Sequence, residues 1–143
     1  MKSENPNWVT IFASLTWRKV AAALILLALL TGFVMSGWQQ VLANWNSRPT
    51  DQSAYLEIGL DIRHGVAMTD GNRHPLFPAI LAHFARYDWS YFTTGKLVSL
   101  VIATLTLGTA YWVVSRVSGI HAALITVVLV IQAHRFLDSA GKV

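Results

Sequence analysis

The sequence predicts an all-α integral membrane protein with about three transmembrane helices and one structured extracytoplasmic loop. Three observations lead to this class: 54% of the residues are hydrophobic, only 13% are charged, and the apolar residues form long runs without charge. Such a composition lies far from that of an ordinary soluble domain. The length of 143 residues predicts one membrane domain that covers residues 1–143.

The first two predicted elements are an interfacial segment and a span. Residues 1–19 contain the mildly amphipathic stretch WVTIFASLTW, which is flanked by tryptophans and is predicted to lie at the membrane surface. Residues 20–38 follow as about nineteen uncharged residues, enough to cross a hydrocarbon core of roughly 30 Å. Because this run is longer than the apolar core of a cleaved signal peptide, an uncleaved span is predicted.

Residues 39–96 are the predicted extracytoplasmic loop, which contains a first short amphipathic helix. Thr50 or Asp51 is placed to cap this helix, and Gly65 is placed to end it. The helix has an apolar face and a polar face, formed respectively by Tyr55, Ile58, Gly59, Ile62 and Val66 and by Glu57, Asp61 and His64. We interpret the polar face as solvated rather than as a metal site.

A second short helix is predicted in the same loop from the stretch PLFPAILAHFARY. It follows a tight turn at Asp70 and Gly71. Pro75 suits the first turn, where no amide donor is needed, and the helix is expected to end near Tyr87. Pro75 and Pro78 restrict the backbone as it enters this helix, and they are expected to hold the neighbouring Arg73 in place.

Two further spans are predicted after the loop. Residues 97–114 form the second, and residues 117–136 form the third, which reaches a spanning length only if it continues to the end of that range. With three spans, the tail of residues 137–143 emerges on the same side as Asp51. Asp138 would then be either a second acid near Asp51 or, as we favour, a solvated tail residue.

Basic residues beside the spans predict a cytoplasmic N-terminus. Arg18 and Lys19 precede the first span, and Arg116 lies in the short turn between the second and third spans. The loop of residues 39–96 carries five basic residues, which argues the other way, but five acidic residues balance them. Loops of this length follow the positive-inside rule poorly.

Charge and cysteine content exclude several classes of function. The net charge of +4 is spread along the chain without a dense basic block, so no nucleic-acid partner is predicted. The absence of cysteine excludes disulfides, thiolate nucleophiles and thiolate metal ligands. His64, His74 and His83 lie nine or ten residues apart, unlike the i, i+4 pair of a helical zinc site. We therefore predict neither a metal nor a cofactor.

The order of these parts resembles the N-terminal region of GT-C-class membrane glycosyltransferases, the superfamily of the protein O-mannosyltransferases and the aminoarabinose transferases. The resemblance covers roughly residues 18–119. Its most specific parts are DQSAYLEIGLDIRHG and DGNRHPLFP, similar to the family's acid-x-x-x-Tyr helix and its Arg-x-Pro-Leu-Tyr-Pro stretch. The chain departs from the family at Gln52, where a second acid is common. It also departs in length, since family enzymes have eight or more spans.

The resemblance implies transfer of a sugar from a polyprenyl-phosphate donor, in the bacterial inner membrane, by a truncated enzyme or one part of a split enzyme. Asp51 would be the catalytic base for the acceptor hydroxyl, or alternatively a helix N-cap. Arg73 would hold the phosphate of the donor, or alternatively reach to lipid headgroups. Tyr55 and His74 complete the predicted substrate-binding residues, although packing is the favoured role for His74.

A second function remains open from the sequence. The same scaffold could serve as a non-catalytic membrane subunit that binds or assembles other subunits within a larger complex. Membrane lipid and other membrane proteins are the expected partners in both cases. A transporter or channel subunit is disfavoured, because the two clearest spans, residues 20–38 and 97–114, contain no charged residue that would mark a pathway.

Overall fold

The computed structural model describes residues 8–44, 51–140 and 142–143, and every regular element in these ranges is an α-helix. The predicted all-α class is therefore confirmed for the described part of the chain. In chain order the helices are α1 (Trp8–Ala43), α2 (Asp51–His64), α3 (Leu76–Ala82), α4 (Trp89–Val117), α5 (Gly119–Gln132) and α6 (His134–Ala140).

Among the described residues, two helices are long and apolar enough to cross a membrane, judged by length and composition. They are Trp17–Ala43 within α1, with a mean hydropathy of 2.3, and α4, with a mean hydropathy of 1.9. Only 17% of the residues in the most apolar part of the first helix, and 11% in that of the second, are buried within the chain. Both helices therefore present apolar surface that the described residues do not cover.

Helix α1 is continuous across residues 19 and 20, where the sequence places the boundary between the interfacial segment and the first span. It also continues to Ala43, beyond the predicted end of the span at residue 38. Gly37 lies in the contact between α1 and α4, since a Cβ at this position would collide with the Leu100 side chain. The missing side chain thus permits the close packing of the two long helices.

The predicted third span is not confirmed. The apolar helix α5 has 14 residues, about 21 Å at 1.5 Å per residue, which is short of a hydrocarbon core of roughly 30 Å. It ends because Ala133 is extended, with φ −66° and ψ 103°, and the chain then starts the separate helix α6. From α6, the Phe136 ring stacks on Phe33 of α1 at a centroid distance of 5.6 Å. The chain therefore folds back onto α1 instead of extending α5.

Two apolar clusters of described residues hold the helices together. The first lies between α1, α4 and α5, and its buried members include Phe33, Leu107 and Val127. The second lies where α2 and α3 pack on the beginning of α4, and it includes Leu81 and Tyr91. The loop helices are thus fixed to one end of the bundle by a core of their own, rather than hanging from the spans.

Lys96 of α4 joins the two long helices at this same end. Its side chain is only 4% exposed, and its ammonium donates to the carbonyl oxygens of Val41, at 2.7 Å, and Asn44, at 2.8 Å. These carbonyls belong to the last turn of α1, where backbone acceptors lack partners within the helix. The ammonium also lies 4.5 Å from the centre of the Phe92 ring. Lys96 therefore caps α1 from α4.

Helix α2 follows its predicted course, while α3 is shorter than predicted. Gly65 has a φ of +69° directly after α2, the left-handed conformation that ends helices. Helix α3 ends at Ala82 instead of near Tyr87, because the next amides bond to carbonyls three residues back rather than four. The Arg63 guanidinium donates to the carbonyl of Ala85, which fixes this tightened turn against the end of α2.

Gly59 lies against α3 and α4 without room for a side chain, and we expect Gly59→Ala to destabilise the fold by about 1–3 kcal/mol. An added Cβ would collide with the hydroxyl of the buried Tyr91, which donates to the Leu56 carbonyl at 3.3 Å, and it would lie 3.3 Å from the Leu81 Cβ. Thermal unfolding in detergent measures the change. Gly32→Ala is the control, because nothing lies within 4 Å of its added Cβ. If the unfolding temperature rose in both Gly59→Ala and Gly32→Ala, the expected clash at Gly59 would be contradicted.

Candidate functional site

The backbone of the loop between α2 and α3 fixes the position of Arg73. One carboxylate oxygen of Asp70 accepts from the amides of Asn72 and Arg73, both at 3.0 Å. The Thr69 hydroxyl donates to the Arg73 carbonyl at 2.7 Å and accepts from the Gly71 amide at 3.1 Å. Asp and Thr side chains form such local turns readily. The short stretch before Pro75 is therefore held by its own side chains.

The Arg73 side chain lies between two carboxylates and an aromatic ring. Its Nη2 donates to Asp51 Oδ1 at 2.6 Å, and its Nη1 donates to the second oxygen of Asp70. The guanidinium carbon lies 5.6 Å from the centre of the Tyr55 ring, which in turn meets Phe77 edge-on at 5.6 Å. Only 18% of the Arg73 side chain is exposed, against 81% for Asp51. We call Asp51, Tyr55, Asp70 and Arg73 the Arg73 cluster.

Hydrogen bonding shifts the pKa values within the Arg73 cluster. The amide of Asn72 and then the donors of Arg73 lower the pKa of Asp70 below its ordinary value. The hydrogen bonds to Asp51 and then Asp70 raise the pKa of Arg73. Because the folded-state pKa of Asp70 is lowered, its contribution to stability is complete at neutral pH. It is lost as the pH falls through that lowered pKa.

An open groove with a volume of about 850 Å³ begins at the Arg73 cluster and runs between α2, α3, α4 and the C-terminal residues. Its polar lining comes from Asp51, Gln52, Tyr55, His74, Ser99, Ser139 and Lys142. Its apolar lining comes from Leu76, Phe77, Ile80, Ile102 and Val143. A volume of this size suits a small-molecule ligand, whose sites measure roughly 300–1,000 Å³. The groove therefore offers a charged end and an apolar wall to one ligand.

The structure brings the four predicted site residues together. Asp51 and His74 line the groove, and both are exposed. Tyr55 lines it from α2 and is half-buried under the Arg73 guanidinium. Arg73 is not part of the groove lining, but it donates a hydrogen bond to Asp51, which is. Asp51 is the first residue of α2, and the other predicted capping residue, Thr50, lies outside the described residues.

The two prolines predicted to hold Arg73 lie at the start of α3. Pro75 is the N-cap residue, with φ −74°, and the buried Pro78 lies within the first turn. At both positions a missing amide costs no helical hydrogen bond. The chain between Arg73 and α3 is thus rigid on both sides, by the side-chain turn before it and by proline after it.

Gln52 has a structural role in this region that the sequence did not predict. It is 9% exposed, and its Oε1 accepts from the Asn44 side chain at 2.9 Å and from the Val143 amide at 3.3 Å. A buried carboxamide accepts both bonds without the cost of burying a charge. Gln52 therefore ties the first turn of α2 to the end of α1.

The polar face of α2 and the tail of the chain make separate contacts. His64 stacks on Tyr87 at a centroid distance of 5.5 Å. Asp138 pairs with Lys142 at 2.6 Å, and both side chains are about half-exposed. Lys142 lines the groove, whereas Asp138 does not. Within the described ranges, no three His, Asp or Glu side chains form a group that could hold a metal ion.

The arrangement has two chemical capacities. An exposed carboxylate, Asp51, can take a proton from a hydroxyl placed over the groove. Arg73 uses one N–H on each carboxylate, and its remaining N–H groups can serve an anion. However, one cation and two carboxylates leave the cluster with a net negative charge, which opposes anion binding. Comparison of the chain with protein-family models, with curated proteins and with solved structures gave no match.

Proposed function

We propose that the chain is a GT-C-like glycosyltransferase module of the bacterial inner membrane, with a cytoplasmic N-terminus, and that the groove holds a polyprenyl-phosphate sugar donor. One observation carries the proposal: Asp51 and Arg73, 22 residues apart in sequence, meet at the charged end of a groove with apolar walls. A lipid-linked phosphate has the same division, with an anionic group joined to an apolar chain. The apolar surfaces of α1 and α4 support the membrane location.

In the proposed reaction, the Asp51 carboxylate removes the proton from the acceptor hydroxyl. The hydroxyl oxygen attacks the anomeric carbon of the sugar from the face opposite the phosphate, and the bond from that carbon to the phosphate oxygen breaks. The phosphate leaves with the electron pair, so the anomeric configuration inverts. Arg73 stabilises the negative charge that grows on the phosphate, as a guanidinium placed beside a leaving group does.

The test measures binding of farnesyl phosphate, a short polyprenyl phosphate, to the full chain in detergent. We expect Arg73→Gln to weaken this binding by about 10- to 100-fold, since a charge-assisted hydrogen bond is lost. Binding of farnesol, which lacks the phosphate, reports whether the groove itself is intact in the variant. Arg86→Gln is the control, because Arg86 is an exposed basic residue of the same loop outside the groove. Unchanged farnesyl phosphate affinity in Arg73→Gln would refute the assigned role.

A non-catalytic membrane subunit is the second candidate, and the net negative charge of the Arg73 cluster favours it. In this case the two carboxylates hold Arg73 as a structural clamp, and the apolar surfaces of α1 and α4 contact other subunits. Mass spectrometry of the native particle in mild detergent distinguishes the two candidate functions. A partner that supplies further spans and a sugar-transfer activity supports the first candidate. A defined complex without transfer activity supports the second.

A further inference from the structure

A second cavity lies at the end of the bundle opposite the groove. It has a volume of about 500 Å³ and is formed between the beginning of the apolar part of α1 and the turn that joins α4 to α5. Its polar side carries Arg18, Lys19 and His121. Both cations are exposed, and no carboxylate among the described residues pairs with either of them. We call this site the basic cavity.

The apolar side of the basic cavity follows the helices toward the middle of the bundle. Ala22 and Ile25 line it from α1, and Leu124 lines it from α5. The two cations precede Ala22 and Ile25 along α1, so the charged and apolar parts follow one another along the bundle axis. A ligand that fills the cavity therefore needs an anionic group at the end of the bundle and an apolar part toward its middle.

The charge distribution of the whole bundle points to the same class of ligand. The described acidic residues lie in the range 51–88 or in α6, at the groove end, while the opposite end carries only basic charges among the described residues. Arg116 adds to this end and lies 5.9 Å from the centre of the Trp112 ring. Trp17 and Trp112 are largely exposed there, and indole rings prefer the headgroup layer.

We propose that the basic cavity binds the headgroup of an anionic phospholipid, with the phosphate between Arg18 and Lys19 and the first carbons of an acyl chain against Ala22 and Leu124. Basic pockets between membrane helices bind acidic headgroups in this manner. The first turn of α5, which begins at Gly119, lines the same cavity and adds the positive end of its helix dipole. The proposal rests on the membrane location in the proposed function, but not on sugar transfer.

The test is native mass spectrometry of the full chain in detergent with equal amounts of phosphatidylglycerol and phosphatidylcholine that carry the same acyl chains. We expect bound phosphatidylglycerol to predominate. Arg18→Gln and Lys19→Gln should each lower this preference about fivefold, as expected for one basic residue near an anionic headgroup. Arg86→Gln is the charge-matched control at the groove end and should retain the preference. An equal loss in Arg86→Gln would show non-specific attraction and overturn the proposal.

A second pair of variants tests the shape of the cavity without changing charge. Ala21→Phe places a ring in the cavity lining and should displace the lipid, whereas Ala28→Phe adds the same ring to an exposed position of α1 outside the lining. Unchanged lipid binding in Ala21→Phe would contradict the assigned site. Excess inorganic phosphate distinguishes the two sources of the anion, and complete displacement of phosphatidylglycerol by phosphate would overturn the lipid assignment. The part of farnesyl phosphate binding that Arg73→Gln lowers and Arg18→Gln leaves unchanged reports on the groove separately.

Discussion

Asp51→Asn is expected to lower the rate of sugar transfer by about 100- to 10,000-fold, the usual contribution of a general base. Asparagine has the same shape as aspartate, and its amide oxygen can still accept from Arg73, but it cannot take a proton from the acceptor hydroxyl. The measurement is transfer from a polyprenyl-phosphate sugar by the native particle, purified with the subunits that accompany it. The loss should fall on kcat, while the affinity for farnesyl phosphate stays within a few-fold of the original.

Asp61→Asn is the matched control for this experiment. Asp61 is a half-exposed carboxylate on the same helix α2, but it does not line the groove, and its removal should leave transfer unchanged. An equal loss in both variants would indicate a general effect of charge on α2. Full activity in Asp51→Asn would remove the proposed base and leave the non-catalytic subunit as the better function.

The separate residues of the candidate site were predictable, but their arrangement was not. Asp51 follows the first span, and Arg73 stands between a tight turn and two prolines, so each could be identified from its own neighbours in sequence. The contact between them depends on how α2 packs against α3, which the buried Gly59 permits and local sequence does not specify. The sequence predicts Asp70 only as part of a turn. Its bond to the Arg73 guanidinium, and hence the net negative charge of the cluster, emerges from the structure.

The ends of the apolar helices show the same difference between what local sequence predicts and what depends on contacts distant in sequence. Hydropathy identified α1 and α4 because lipid-facing helices need long apolar runs, and length alone carries that signal. Hydropathy also predicted that the third span continues beyond Ala133, because neither glycine nor proline marks a break there. The break is accompanied by the packing of Phe136 on Phe33, a contact between residues far apart in sequence. A pattern with a helical period cannot report such a contact, so the end of α5 at Gln132 could not be predicted from it.

Lys96 was missed for a related reason. At the edge of a predicted span, a lysine is expected to extend toward the headgroups with its ammonium in water. Here the ammonium instead turns inward to the carbonyls of Val41 and Asn44. The Asn44 side chain donates to Gln52, which neighbours Asp51. Lys96 is therefore connected, through the last turn of α1, to the start of the helix that presents the proposed base.

Lys96→Met is expected to destabilise the protein by about 3 kcal/mol, because it leaves two carbonyls at the end of α1 without their charged donor. For a chain of this size, the midpoint of thermal unfolding should fall by roughly 10 °C. Lys142→Met makes the same substitution at a half-exposed lysine whose pair with Asp138 is worth well under 1 kcal/mol, so it should change the midpoint little. Amide exchange in the last turn of α1 should quicken only in Lys96→Met. If both variants unfold at the same temperature and exchange stays slow, the end of α1 is held by apolar packing on α4, and Lys96 has no part in positioning Asp51.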